Sequence, residues 1–188
     1  ALIVVFQQEV RRFLLVIGNR YIQNTRFSLK KLFFSAPELP GGIGVVEEIV
    51  QAAESMAQKK IGALIVIERQ SRLGLYADAG EMIRAKISAE LLETIFFKNT
   101  PLHDGAVIIE DNLIIAARCP LPVTDQLVLS PHLGMRHRAA IGMSEQTDAL
   151  VVVISEETGR ISVADSGEIR ENLTPNDLRN ILLMEKVW

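Results

Sequence analysis

The sequence predicts an α/β fold: one globular domain whose mixed β-sheet is flanked by helices on both sides. Three observations carry this. Apolar residues at three- and four-residue spacing mark amphipathic helices. The short continuous run Gly62-Ala-Leu-Ile-Val-Ile suits a strand buried on both faces. Two further pairs of apolar runs, each joined by a short polar turn, read as hairpins. Hairpins interleaved with helices place helices on both faces of one sheet.

Taken in order, residues 1–36 are a helical stretch followed by a basic connector with Arg26, Lys30 and Lys31. The opening Ala-Leu-Ile-Val-Val-Phe precedes Gln7, Gln8, Arg11 and Arg12. It reads either as an amphipathic first helix packed on the domain or as the cytoplasmic end of a membrane helix with its basic flank inward. Ala36-Pro37-Glu38-Leu39-Pro40-Gly41-Gly42 is a loop, which places the compact domain at residues 37–188. Val46, Ile49, Val50, Ala53, Met56 and Ala57 define a helix over 44–60. The buried strand through Ile67 follows. Residues 70–87 alternate poorly and read as loop with short strands. Ser88 caps a helix over 89–98.

The second half opens with strands Ala106–Ile109 and Leu113–Cys119, joined by the turn Glu110-Asp111-Asn112 and ended by Pro120 and Pro122. Ser130-Pro131 opens a segment that becomes helical by about Arg138. Ala149–Ser155 and Arg160–Ala164 pair around the turn Glu156–Gly159, and Asp165-Ser166-Gly167 turns the chain again. Thr174-Pro175 starts the last helix, with Thr as cap, Pro first and Asp177 third.

Composition narrows the function. The chain has 188 residues, 48% apolar and 23% charged, which excludes extensive disorder and suits one sizeable core. Lys plus Arg is 20 and Asp plus Glu is 23, a net charge of −3. That excludes a broadly basic protein coating nucleic acid, and no nucleic-acid partner is expected. Mean hydropathy is +0.22, yet the longest apolar runs (Ala1–Phe6, Ala63–Ile67, Ala149–Ile154) fall far short of the roughly 20 residues a membrane span needs. The single cysteine, Cys119, makes no internal disulfide, and no Cys/His cluster suits structural zinc. A cytoplasmic setting is expected. There is no P-loop, no G-x-G-x-x-G after a strand, no G-x-S-x-G elbow and no H-E-x-x-H.

Three segments remain. Thr100-Pro101-Leu102-His103-Asp104-Gly105-Ala106 enters a strand; a glycine there lets backbone approach a ligand closely. Gly134-Met135-Arg136-His137-Arg138-Ala139-Ala140 lies at a helix start, where amide groups and guanidinium both favour phosphate. Arg136 and Arg138 sit two apart, so on a helix they face different ways. Ser155-Glu156-Glu157-Thr158-Gly159 is an acidic hairpin turn. Taken singly, each also suits an ordinary solvated turn. Asp104 and Glu157 would share a divalent cation if their strands were neighbours. Together the three supply carboxylates, imidazole, guanidinium and hydroxyl, the inventory of metal-assisted phosphoryl or nucleotidyl transfer.

In this order and within these flanks, Asp104-Gly105-Ala106 and Arg136-His137-Arg138 resemble the two signature triplets of the diadenylate cyclase (DAC) family. Thr100-Pro-Leu-His-Asp-Gly-Ala-Val-Ile-Ile, Leu133-Gly134, Arg138-Ala-Ala-Ile-Gly and Ser155-Glu-Glu-Thr-Gly match the surrounding words. The likeness covers roughly residues 40–175. It is nearest the membrane-anchored subtype, whose transmembrane helices precede a helical connector and then the catalytic domain. Residues 1–36 resemble that connector, which implies a full-length protein at the cell membrane with its catalytic domain in the cytoplasm, and a soluble domain without the anchor.

The resemblance implies the DAC fold and condensation of two ATP into cyclic di-AMP and two pyrophosphates, with Mg²⁺ or Mn²⁺, in a homodimer of facing active sites. It implies that Asp104 binds and activates the ribose 3′-hydroxyl and that Gly105 and Ala106 line the nucleotide. Arg136 holds phosphates, with His137 and Arg138 completing the motif. Ser155 and Glu157 lie near the triphosphate and its metal, and His103 is similar to a metal ligand, so the metal set is His103, Asp104 and Glu157. The backbone of Leu121 reads the adenine edge. Relatives carry Thr before the second triplet where this chain has Met135; a Thr hydroxyl donates to phosphate and a thioether does not, although the backbone amide still does. A module that binds ATP or cyclic di-AMP without turnover is the alternative, and a structural domain tethered beneath a membrane is a third; the two complete triplets argue against the sensor.

Overall fold

The computed structural model describes residues 43–126 and 133–184. Helix α1 (Ile43–Lys59) leads into strand β1 (Ala63–Ile67), the short helix α2 (Gly74–Ala77), β2 (Glu81–Lys86) and α3 (Ala89–Phe96). The hairpin of β3 (Ala106–Glu110) and β4 (Leu113–Cys119) precedes α4 (Met135–Gln146). Strands β5 (Leu150–Ile154), β6 (Ile161–Asp165) and β7 (Glu168–Leu173) then meander into α5 (Pro175–Met184). All seven strands form one sheet in the order β2-β4-β3-β1-β5-β6-β7. Only β1 and β3 run parallel; every other pair is antiparallel.

Strands β1 and β5 are buried at every position, so their alternate side chains serve two cores. Ile65, Ile67, Val152 and Ile154 join Ile49, Met56, Leu92, Phe96 and Leu178 beneath α1, α3 and α5. Leu64, Val66, Val151 and Val153 join Leu73, Ala77, Ala140 and Met143 beneath α2 and α4. Each fully buried Ile or Val is worth about 1.5–3 kcal/mol, which is why continuous apolar runs take the sheet centre. The expected mixed sheet with helices on both sides is the fold observed.

The two expected caps form. Ser88 Oγ accepts from Leu91 N–H at 3.2 Å. Thr174 Oγ1 accepts from Asp177 N–H at 3.2 Å while Asp177 Oδ2 accepts from Thr174 N–H at 2.9 Å, the reciprocal pair that closes a helix start.

Three expectations need correcting. Residues 70–87 hold one helical turn and one six-residue strand, β2. Residues 168–173, unassigned from sequence, form β7. Both are edge strands that need only half-burial: the exposed Met82 in β2 and the half-buried Glu171 in β7 spoil the apolar–polar pattern a strand is recognised by, although burial itself alternates along β7. Helix α4 starts at Met135, three residues before Arg138. The connector expected over residues 1–36 and the Ser130-Pro131 opening lie outside the described residues. Among the described residues no helix is long and apolar enough to cross a membrane.

The two ends of the sheet differ in chemistry. At one end, acids tie down the loops: Asp148 accepts from Gln70 and Ser71 N–H at 3.1 and 2.9 Å, and Asp165 pairs with Arg69 at 3.3 Å. Glu68 accepts from Leu73 N–H at 2.8 Å and pairs with Arg72, which also meets Glu110. Burial pushes the Glu68 carboxyl from 4.5 up to about 6, against the pull of the Leu73 N–H and Arg72, with Glu110 and Asp111 adding to the rise. The folded state therefore binds this proton more tightly than the unfolded chain. Its contribution is favourable below about pH 4.5 and is lost as pH rises through about 6. Glu68→Gln, which keeps the acceptor for Leu73, is expected to raise stability by about 1–2 kcal/mol at pH 7.5. It is expected to give no gain at pH 4, as read by urea unfolding at the two pH values.

Candidate functional site

The opposite end of the sheet collects the chemistry. The β1–β3 register pairs Ile65 with Val107, and the β1–β5 register pairs Ala63 with Ile154. Carried outward to the strand ends, these registers align Asp104, Gly62 and Ser155 in one row. Adjacent strands lie about 4.8 Å apart, so Asp104 and Ser155 stand roughly 10 Å apart with Gly62 between them. The N-terminus of α4 reaches the same end: the Arg136 guanidinium lies over Gly62 and pairs with Glu156 at 3.1 Å.

Local structure explains the first triplet. Gly105 has φ +132°, and a Cβ there would meet the Arg118 carbonyl carbon at 2.8 Å and the Cys119 oxygen at 3.0 Å. Arg118, itself at φ 55°, sits where the β3–β4 register shifts. The bulged backbone of β4 presses on the start of β3, and only glycine fits both the angle and the space. Asp104, exposed, precedes this kink, and Ala106, fully buried, follows it.

Helix α4 carries the second triplet and anchors the next segment. A Cβ on Gly142 would lie 2.6 Å from both Pro122 O and Thr124 N, so residues 122–124 rest directly on the helix. Thr124 N–H donates to Arg138 O at 3.1 Å, and Thr124 Oγ1 and Gln126 Nε2 both donate to Glu145 at 2.8 and 2.7 Å. This holds Leu121, half-buried, between Pro120 and Pro122. Neither proline has an N–H, so Leu121 supplies the single backbone donor of that tripeptide. The three members of the triplet separate as the helical period requires: Arg136 faces the sheet end, His137 is buried at 6% exposure, and Arg138 anchors the loop through its carbonyl. Met135 is 68% exposed.

In the third segment, Ser155 N–H donates to Arg160 O at 3.0 Å, and Ser155 Oγ accepts from Thr158 N–H at 3.3 Å, leaving its own proton free to donate. Glu157 is exposed. The shared cation site expected for Asp104 and Glu157 required neighbouring strands, and β1 lies between β3 and β5. Among the described residues no three His, Cys, Asp or Glu side chains gather into a ligand cluster. His103, Asp104 and Glu157 are therefore not a closed set within one chain. The donors at β3 still fit a hard divalent ion with an open shell. His103 Nδ1 lies 2.6 Å from Thr100 O; as the donor to that carbonyl the ring keeps Nε2 for another partner, and Asp104, next in sequence, is exposed. Mg²⁺ is commonly held by one or two protein ligands plus phosphate oxygens.

Gly62 and Glu156 are the site residues that the sequence reading left unassigned. The available signal was a glycine placed directly before a doubly buried strand, where a strand former is otherwise favoured. Glu156 carried no signal of its own, since Arg136 reaches it only through the fold.

Fold and chemistry together define an α/β domain with a cluster suited to phosphate at one end of its sheet. The family model for the DisA bacterial checkpoint controller nucleotide-binding (DAC) domain matches residues 50–169, and the chain belongs to this family. The chain is 43% identical to the cyclic di-AMP synthase CdaA of Bacillus subtilis (strain 168), over 98% of this chain and 65% of that protein. It is also 43% identical to a diadenylate cyclase of Listeria monocytogenes serotype 1/2a, over 100% of this chain and 66% of that protein. The chain thus spans just under two thirds of the length of these relatives. Among solved structures it resembles a double mutant of DacA from Staphylococcus aureus, with TM-score 0.74 and 42% identity over 76% of this chain and 95% of the other. It also resembles a protein described as a hypothetical membrane spanning protein from Bacillus cereus, with TM-score 0.66 and 44% identity over 68% of this chain and 63% of the other.

Two variants check this geometry. Gly105→Ala forces a side chain into the bulged β4 backbone and is expected to cost about 2–4 kcal/mol in urea unfolding. Met135→Thr changes an exposed side chain and is expected to leave stability within about 0.5 kcal/mol. A large loss with Met135→Thr would mark Met135 as a packing residue.

Proposed function

We propose that this domain is a diadenylate cyclase that condenses two ATP into cyclic di-AMP and releases two pyrophosphates. The observation that carries the reading is the single sheet end where Asp104, the Arg136 guanidinium and Ser155 converge around Gly62. The names of the similar proteins from Bacillus subtilis and Listeria monocytogenes support it.

Each linkage forms a bond from a ribose 3′-oxygen to the α-phosphorus of the other ATP and breaks the bond from that phosphorus to the bridging oxygen of pyrophosphate. Asp104 accepts a hydrogen bond from the 3′-hydroxyl and draws off its proton as the oxygen attacks. Arg136 and the free N–H groups at the start of α4 hold phosphate oxygens where charge builds. Ser155 Oγ–H donates to the triphosphate. The Leu121 backbone meets the adenine edge. Met135 contributes through its N–H alone, and Gly105 and Ala106 line the nucleotide. His103 and Asp104, together with Glu157, would hold the Mg²⁺ or Mn²⁺, which when bound would neutralise charge on the phosphates.

One chain presents this set once, whereas the product has two identical linkages. Two chains therefore meet face to face through an isologous contact. The similarity to the membrane spanning protein of Bacillus cereus supports a catalytic domain at 37–188 held beneath a membrane through the connector at 1–36.

Incubation with ATP and Mn²⁺ or Mg²⁺, followed by chromatographic separation of nucleotides, tests the reading. Cyclic di-AMP is the expected product. Asp104→Asn is expected to lower turnover at least a hundredfold, in line with loss of a general base, while ATP affinity stays within about threefold. Retention of ATP with no product at any metal concentration would instead make the domain a sensor. Near-normal turnover by Asp104→Asn would remove that residue from the chemistry.

A further inference from the structure

We propose that Gly62 and Glu156 are positioning residues for Arg136. Gly62 leaves the space that the guanidinium occupies, and Glu156 stands in for phosphate until nucleotide arrives. This rests on the assignment of Arg136 to phosphate made above.

Gly62 is buried and its φ lies outside the left-handed region, so its backbone would accept any residue. Space is the constraint. A Cβ at this position would lie 2.8 Å from Arg136 Nη1, 3.0 Å from Arg136 Cζ and 3.0 Å from Glu156 Cβ. Such contacts are too short to persist. The nearest atom is the tip of a flexible side chain, so the arginine yields first; Glu156 Cβ, tied to the backbone of the β5–β6 turn, has to give by only a few tenths of an ångström. The guanidinium of a helix residue thus rests on bare strand backbone, in the row between Asp104 and Ser155. A phosphate held there is within reach of both.

Glu156 sets the direction. Its Oε2 lies 3.1 Å from Nη1, with the Arg136 side chain 24% and the Glu156 side chain 45% exposed. A carboxylate at this distance presents the same charge and acceptor geometry as a phosphate oxygen pair. A pair this exposed is weak, so a polyphosphate of higher charge displaces it. Without nucleotide, Glu156 keeps the guanidinium over Gly62; with nucleotide, it is the competitor that leaves. The ion pair lowers apparent phosphate affinity by about two- to fivefold, the range expected of such pairs.

The test uses inorganic tripolyphosphate without divalent metal, measured by calorimetry, alongside KM and kcat for ATP. Glu156→Gln keeps shape and removes charge; tripolyphosphate affinity is expected to rise about two- to fivefold and KM for ATP to fall, with the protein as stable as before. Gly62→Ala is expected to weaken tripolyphosphate at least fivefold while the protein stays folded with a melting temperature lowered by no more than about 4–8 °C, and to weaken it no further in an Arg136→Ala background. Unchanged or weaker tripolyphosphate binding by Glu156→Gln overturns the role given to Glu156. Wild-type affinity in Gly62→Ala, or failure of that variant to fold, overturns the role given to Gly62. Arg136→Ala alone separates the two levels: if it binds ATP and tripolyphosphate as well as wild type, the phosphate assignment itself fails.

Discussion

Strand β1 is the constraint on which the site depends. It is buried on both faces and paired on both edges, parallel to β3 and antiparallel to β5. Within the described sheet β1 and β3 are the two strands with one parallel and one antiparallel neighbour, and at β1 the mixture has a geometric consequence. A parallel partner brings its start to the start of β1, and an antiparallel partner brings its end there. The chain entering β3 at Asp104 and the chain leaving β5 at Ser155 therefore meet the same end of the sheet, although 51 residues of sequence separate them. Burial of Leu64 to Ile67 and Leu150 to Ile154 locks the register, since a slip by one residue would turn each strand's side chains to the wrong core.

The helix that supplies the arginine is placed by the same logic. After β4 the chain is at the site end, and to enter β5 it must return to the far end. Helix α4 makes that journey, so its N-terminus necessarily opens at the site. Gly142 lets residues 122–124 lie against the helix, and Thr124, Gln126 and Glu145 fasten them. The far end of the sheet is tied by Asp148, Asp165 and Glu68. One end is fastened by half-buried acids, and at the other Asp104, Glu156 and Glu157 stay exposed.

Much of this was legible without coordinates because it is local. The apolar runs at 63–67 and 149–154, the capping residues Ser88 and Thr174, and the hairpin turn at 110–112 each follow from short-range pattern, and each appears where the pattern places it. The two triplets and their flanks were enough to indicate the family. The edge strands β2 and β7 were not legible, because half-burial lets an exposed Met82 and an inward Glu171 stand where the apolar–polar pattern calls for the opposite. Three-dimensional neighbourhood was hidden as well. The suggestion that Asp104 and Glu157 share an ion depended on strand order, and β1 stands between them.

The sequence by itself determined the longer helices in outline and the central strands, which residue types are available for chemistry, and the family that carries them. These depend on interactions within about ten residues or on motif identity. Only the tertiary structure decided that β1 divides β3 from β5, that Arg136 rests on Gly62, and that Glu156 is its partner. The physical reason is that strand order is chosen by burial of whole faces, a sum over the entire core. A contact such as that of Arg136 with Gly62 is made by two residues whose own neighbours in sequence contain no record of it.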